Sequence, residues 1–142
     1  MYRVLIVEDE MLVREALKLS IRWNELGLTP AGEAENGRDA LSWLSSHTAD
    51  IIITDMRMPV IDGRAFLQSL EAMGIRCEII VVSEYTDFSY MESAIHAHVA
   101  DYLLKPVDPE RLNRILLEAC ARLDSQNSEK TAMKSPPSSD TS

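Results

Sequence analysis

At 142 residues, with 46% apolar side chains, the chain is long enough for one domain with a buried core and no need of disulfide or structural-metal support. Its formal net charge is −9, a field that repels nucleic-acid phosphates, so any DNA binding is expected from a domain other than this one. No apolar stretch approaches a membrane span and no signal-peptide pattern opens the chain, which predicts a soluble, cytoplasmic protein with no membrane partner. Cys77 and Cys120 lack metal-ligand spacing and fall at apolar positions, so both read as reduced core residues.

The first apolar run, about residues 3–7, reads as a buried strand. A helix is predicted over about 11–23, with Leu12, Val13, Ala16, Leu17 and Ile21 on one stripe. Thr29 to Glu35 makes a poor strand, interrupted by Pro30 and Gly32, and proline places it at a sheet edge. A second helix follows over about 38–46, facing inward through Ala40, Leu41 and Leu44. Ile51 to Thr54 is the third strand, and a loop from Met56 to Gly63 leads into a helix carrying Phe66, Leu67, Leu70 and Met73. Gly74 suits the stop of that helix. The fourth strand covers about 78–82, and a helix over about 87–97 has Phe88, Met91 and Ile95 at helical spacing. The fifth strand, about 101–104, is short enough to be the other edge. A last helix opens with Asp108 as N-cap and Pro109 at its first position, and its stripe runs Leu112, Ile115, Leu116, Ala119, Leu123. From Ser125 the composition turns serine-rich, with Pro136 and Pro137, so 125–142 is expected to be a disordered linker or terminal tail after a 1–124 domain.

Strands alternating with helices predict an α/β fold, a doubly wound five-stranded parallel sheet of order 2-1-3-4-5. In such sheets the carboxyl ends of the strands share one edge, where ligands bind. Glu8 and Asp9 follow the first strand, Asp55 the third, Ser83 the fourth and Lys105-Pro106 the fifth. Crowded carboxylates repel one another, and a hard divalent cation such as Mg2+ relieves this with oxygen ligands. A lysine beside them offsets charge on phosphate oxygens, and a serine hydroxyl can donate to one. Taken singly, each has an ordinary reading as a turn, cap or surface residue.

Their joint order resembles the receiver domain of bacterial response regulators, over residues 2–123. The matching stretches are Val4-Leu5-Ile6-Val7-Glu8-Asp9-Glu10, Asp55-Met56-Arg57-Met58-Pro59 with Asp62-Gly63, Ser83, and Asp101-Tyr102-Leu103-Leu104-Lys105-Pro106. The resemblance implies a flavodoxin-like (βα)5 domain that takes a phosphoryl group onto Asp55 from a sensor histidine kinase. It implies further that Glu8, Asp9, Asp55 and the Arg57 carbonyl hold Mg2+, that Lys105 and Ser83 grip the phosphoryl oxygens, and that Tyr102 is a switch aromatic. One departure is Glu8, where the family most often has Asp. The stretches Ser83-Glu84-Tyr85-Thr86-Asp87-Phe88, Ile21-Arg22-Trp23 and Ala34-Glu35-Asn36-Gly37 look like receivers joined to AraC-type helix-turn-helix domains. The resemblance therefore implies either transcription regulation through an output domain absent here or a stand-alone receiver. It also implies a homodimer through the fourth helix, fifth strand and fifth helix.

Three other readings compete. An aspartyl phosphohydrolase would carry its nucleophile after the first strand with a second Asp two residues on, whereas position 57 is Arg and Glu8-Asp9 lead into Glu10-Met11. A flavin module would need a hydroxyl- and glycine-rich loop after the first strand, which is missing. A receiver that signals by contact alone would not need the full acid, hydroxyl and lysine set. His47, His96 and His98 are scattered away from the strand tips and read as non-catalytic.

Overall fold

A computed structural model of the chain describes residues 1–84 and 88–134. The elements are β1 (Tyr2–Val7), α1 (Met11–Ser20), α2 (Trp23–Leu26), β2 (Leu28–Ala34), α3 (Gly37–Leu44), β3 (Ile51–Thr54), α4 (Gly63–Ala72), β4 (Glu78–Ser83), α5 (Phe88–His96), β5 (Asp101–Leu104) and α6 (Pro109–Lys134). The sheet runs β2-β1-β3-β4-β5 with every pairing parallel, as the alternating pattern predicts. β2 is an edge strand, and its pairing with β1 slips where Val4 faces Pro30 and Leu5 faces Gly32, leaving Ala31 extra. Proline has no N–H for a ladder, so the bulge falls where no hydrogen bond is lost.

Side chains of successive strand residues point to opposite faces, and the two faces have separate cores. Val4, Ile6, Ile51, Ile53, Ile80, Val82 and Leu103 meet Leu17 and Ile21 together with the inner stripe of α6. Leu5, Val7, Ile52, Ile79 and Val81 meet Ala40, Leu44, Phe66, Leu67, Leu70 and Ala94 on the other face. Burial on both sides explains why these strands read as unbroken apolar runs.

Several expected helix faces are corrected. The predicted first helix stops at Ser20, and Ile21 turns to extended geometry before the single turn of α2, which Gly27 ends at φ 68°. The carboxamide of Asn113, itself 4% exposed, holds that break: it accepts from Arg22 N at 2.9 Å and donates to Ser20 O at 2.8 Å and Pro109 O at 2.7 Å. On α1, Leu17 is buried while Leu12 lies 78% exposed, so the inner stripe is narrower than the apolar spacing suggests. On α5, Met91 and Ile95 face outward and, among the described side chains, which do not include Phe88, Ala94 is the buried one. Met73, expected inside, is the half-exposed C-cap of α4, with Gly74 at φ 71° closing the helix as predicted.

α6 also departs from expectation, since it continues through the compositional change at Ser125 to Lys134. No proline or glycine stands between Glu110 and Ser135, so nothing breaks the i to i−4 ladder once the buried half has nucleated it. Residues 125–128 of this extension are exposed, and Asn127 donates to the Tyr2 hydroxyl at 3.2 Å. Among the described residues, no helix is long and apolar enough to cross a membrane.

Candidate functional site

The parallel sheet brings the tips of β1, β3 and β5 to one edge, where Glu8, Asp9, Asp55 and Lys105 converge. Carboxylate oxygens of Glu8, Asp9 and Asp55 lie within 4.8 Å of one another. Glu8 and Asp55 are buried, 2% and 6% exposed, while Asp9 is open to solvent. The Lys105 ammonium donates to Glu8 Oε1 at 2.7 Å and to Asp55 Oδ2 at 3.0 Å. The Lys105-Pro106 peptide is cis. A cleft of about 230 Å³ opens over the cluster, lined by Asp9, Glu10, Asp55, Arg57, Glu84 and Lys105.

The two buried acids are held by the backbone around them. Asp55 Oδ1 accepts from Met56 N at 2.6 Å and Arg57 N at 3.3 Å, which leaves Oδ2 to the lysine. Glu8 Oε2 accepts from Glu10 N at 3.1 Å. Burial disfavours the charged form of Glu8 and outweighs the Lys105 contact, raising its pKa from 4.5 to about 7. Burial works to lower the Lys105 pKa, but its two carboxylate partners outweigh that and hold it above its ordinary value.

The loop after Asp55 is shaped by two glycines that sequence reading left without a role. Gly63 N donates to Met56 O at 2.6 Å, and a Cβ at Gly63 would stand 2.6 Å from Met56 Cα and 3.0 Å from Asp55 O. Gly37, at the start of α3, lies against the same loop, since its Cβ would fall 3.0 Å from Ile61 O. Asp62 caps α4 by accepting from Ala65 N at 3.1 Å. Val60, between them, takes φ 70° while Ile61 N donates to Pro59 O at 2.9 Å, a tight turn that β-branched residues seldom adopt. The strain sits in the loop that follows Asp55.

The other expected residues are placed as follows. Ser83 is fully buried as the last residue of β4, opposite Leu104, and its carbonyl accepts from Lys105 N at 2.9 Å. Tyr102 is half-buried on β5 and packs against the core on the α3–α4–α5 side. Arg57 is exposed at the rim of the cleft. Tyr85, Thr86 and Asp87, part of the motif after Ser83, lie outside the described residues. None of the histidines joins the site: His47 stacks on Trp43 at 4.7 Å, His98 is the left-handed residue after α5, and His96, the last residue of α5, lines a groove between α5 and α4. Cys120 is buried as expected, and burial pushes the half-buried Cys77 thiol up to about 12, far from a reactive thiolate.

Arg14 is a member of this neighbourhood that periodicity did not single out. Its guanidinium donates to Glu8 O at 2.5 Å and to Glu33 Oε1 at 3.1 Å, with its side chain 11% exposed. A helix pattern shows only that Arg14 flanks the inner stripe of α1, not that it reaches across the acidic turn.

An acidic strand-tip cluster with one lysine, on a 2-1-3-4-5 sheet, defines a class of signalling domain. The family model for the response regulator receiver domain matches residues 4–117, and the chain belongs to that family, as the receiver domain of a two-component response regulator. It is 41% identical over 116 residues to an uncharacterized response regulatory protein of Staphylococcus epidermidis and 40% identical over 116 residues to the transcriptional regulatory protein HptR of Staphylococcus aureus. Both matches cover 82% of this chain and 45% of the relative, so the chain spans just under half the length of the curated relatives it matches. Among solved structures, it is similar to the REC domain of AraT, a response regulator from Geobacillus stearothermophilus. That match has 36% identity and a TM-score of 0.82, and it covers 89% of this chain and 98% of the other.

Proposed function

We propose that this receiver takes a phosphoryl group onto Asp55 from the phosphohistidine of a sensor histidine kinase. The observation that carries the reading is the state of the Asp55 carboxylate. It is buried, its Oδ1 is tied to two backbone N–H groups, and its Oδ2 sits on the Lys105 ammonium beside Glu8 and Asp9. That arrangement aims one oxygen at the cleft. In the transfer, Asp55 Oδ2 forms a bond to phosphorus as the P–N bond breaks, and the kinase imidazole keeps the electron pair.

The donor set suits magnesium, because three hard carboxylate oxygens converge at the mouth of an open cleft with room for water and phosphate. Glu8, Asp9, Asp55 and the Arg57 carbonyl would hold Mg2+, and the bound ion supplies charge compensation for a phosphoryl group approaching an acidic site. Lys105 then exchanges its carboxylate partners for a phosphoryl oxygen, and the Ser83 hydroxyl turns to another. Arg57, exposed at the rim, screens the acyl phosphate from water.

The switch is read on the face made by α5, β5 and α6. Ser83 and Tyr102 lie on neighbouring strands β4 and β5, so a new dianion at Asp55 biases both. Each element of that face exposes a large apolar side chain, Ile95 on α5, Leu104 on β5 and Leu117 on α6, which favours homodimer formation there. The output is DNA-binding transcription regulation through an AraC-type domain in the longer protein, and the setting is the cytoplasm. DNA is met only through that domain.

Incubation with a small phosphodonor and Mg2+ should add a single phosphate by intact-mass measurement, and omission of the metal should abolish it. An Asp55→Asn protein that still labels fully would refute the assignment. Amide shifts recorded with a phosphoryl mimic should change at Tyr102 and α5; changes confined to the Asp55 loop would refute the switch.

A further inference from the structure

We infer that Arg14 is a positioning residue that sets where the Glu8–Asp9 turn presents its carboxylates, with Glu33 on β2 as its anchor. The inference rests on the Mg2+ reading of the acid cluster. Glu8 N donates to Ala34 O at 2.9 Å, and Glu8 O accepts from Arg14 at 2.5 Å, so the peptide groups on both sides of the Glu8 Cα are fixed. The guanidinium is itself held, because Glu33 Oε1 accepts from Arg14 Nε at 3.1 Å and Glu33 Oε2 accepts from Lys18 at 2.7 Å. The links tie α1, the acidic turn and the edge strand together, and neither Arg14 nor Glu33 lines the cleft.

The turn needs such a hold for two reasons. Glu10, the N-cap of α1, makes no side-chain cap bond, so capping does not fix the entry into the helix. Glutamate also has one more rotatable bond than aspartate, so the position of its carboxylate depends more on where its backbone is held. Arg14 can hold the turn because its planar fork bonds two acceptors at once, which a lysine ammonium does less well in a fixed direction.

Positioning and simple charge predict opposite signs, which makes the test sharp. By Coulomb attraction alone, removing a cation near three carboxylates tightens Mg2+ binding. If Arg14 positions Glu8, its removal weakens binding, by roughly tenfold on the scale of outer residues that orient metal ligands. Calorimetric titration of the full chain with MgCl2 should show Arg14→Met weakened by about that factor, with Arg14→Lys and Glu33→Gln weakened less. Far-ultraviolet dichroism identifies which variants are folded; if Arg14→Met is not, Arg14→Lys carries the comparison. Folded variants that bind Mg2+ as tightly as the unsubstituted chain, or more tightly, overturn the inference alone. An unsubstituted chain that takes up no Mg2+ overturns the metal reading and this inference with it.

Discussion

Replacing Asn113 by alanine should destabilise the domain more than any other single polar change outside the acid cluster. The side chain is 4% exposed and makes three hydrogen bonds, one from Arg22 N and two to the carbonyls of Ser20 and Pro109. Each such bond contributes about 1 kcal/mol net, and orphaned partners that stay away from water add to the loss. The expected cost is therefore roughly 2–4 kcal/mol, a large share of a typical domain's stability. Asn113→Asp should cost more at neutral pH, because the nitrogen that faces two carbonyls becomes an anionic oxygen. Acidification should recover part of that loss by restoring one donor. Glu110→Gln is the control, since the Arg22–Glu110 pair at the same junction is exposed and such pairs contribute about 0–1 kcal/mol. Urea unfolding read at constant slope gives the differences directly. An Asn113→Ala loss below about 0.5 kcal/mol, or an aspartate variant as stable as the original at pH 7, would refute the reasoning.

The remaining predictions concern the acid edge. Gly63→Ala should lower stability by roughly 1–3 kcal/mol and impair phosphoryl acceptance, because the new Cβ meets Met56 Cα and Asp55 O; a variant that labels and melts normally would show that the loop yields. In metal-free buffer the raised pKa of Glu8 gives a signed pH dependence: the folded state keeps a proton between pH 4.5 and about 7 that the unfolded chain has released. The contribution of Glu8 is therefore present at acid pH and lost as pH rises through about 7, and Mg2+ binding to the ionised cluster should offset the loss; denaturant midpoints across that range check the sign. Lys105→Ala should leave the domain folded and its Mg2+ affinity equal or higher, while the amide-shift response to phosphorylation is largely lost; a variant that unfolds would make Lys105 structural.

Much of the architecture follows from local pattern. Apolar runs of strand length alternate with helical spacing, and right-handed crossovers leave few ways to assemble them, so the parallel sheet and its edge at Pro30 are legible in the chain. Strand tips all point one way in such a sheet, which is why Asp55, Glu8, Asp9 and Lys105 could be named as neighbours from residues far apart in sequence. Periodicity reports that a residue is apolar, not that a neighbour exists to cover it. That is why Leu12, Met91 and Ile95 fit a helical stripe yet face outward, their exposure decided by which helices pack beside them. Composition likewise suggested an end to order at Ser125, while continuity of the hydrogen-bond ladder extends α6 to Lys134.

What only the tertiary structure decided is the support beneath the site. Arg14 and Asn113 act through hydrogen bonds to groups on other segments, and Gly37 and Gly63 through the space a missing Cβ leaves. Such contacts carry no period, because a single side chain meeting a single backbone atom imposes nothing on its sequence neighbours. The identities of the reacting groups are written in the sequence, since chemistry restricts which residue types can do the work. Where each of them is held depends on atoms brought together only when the sheet and helices close.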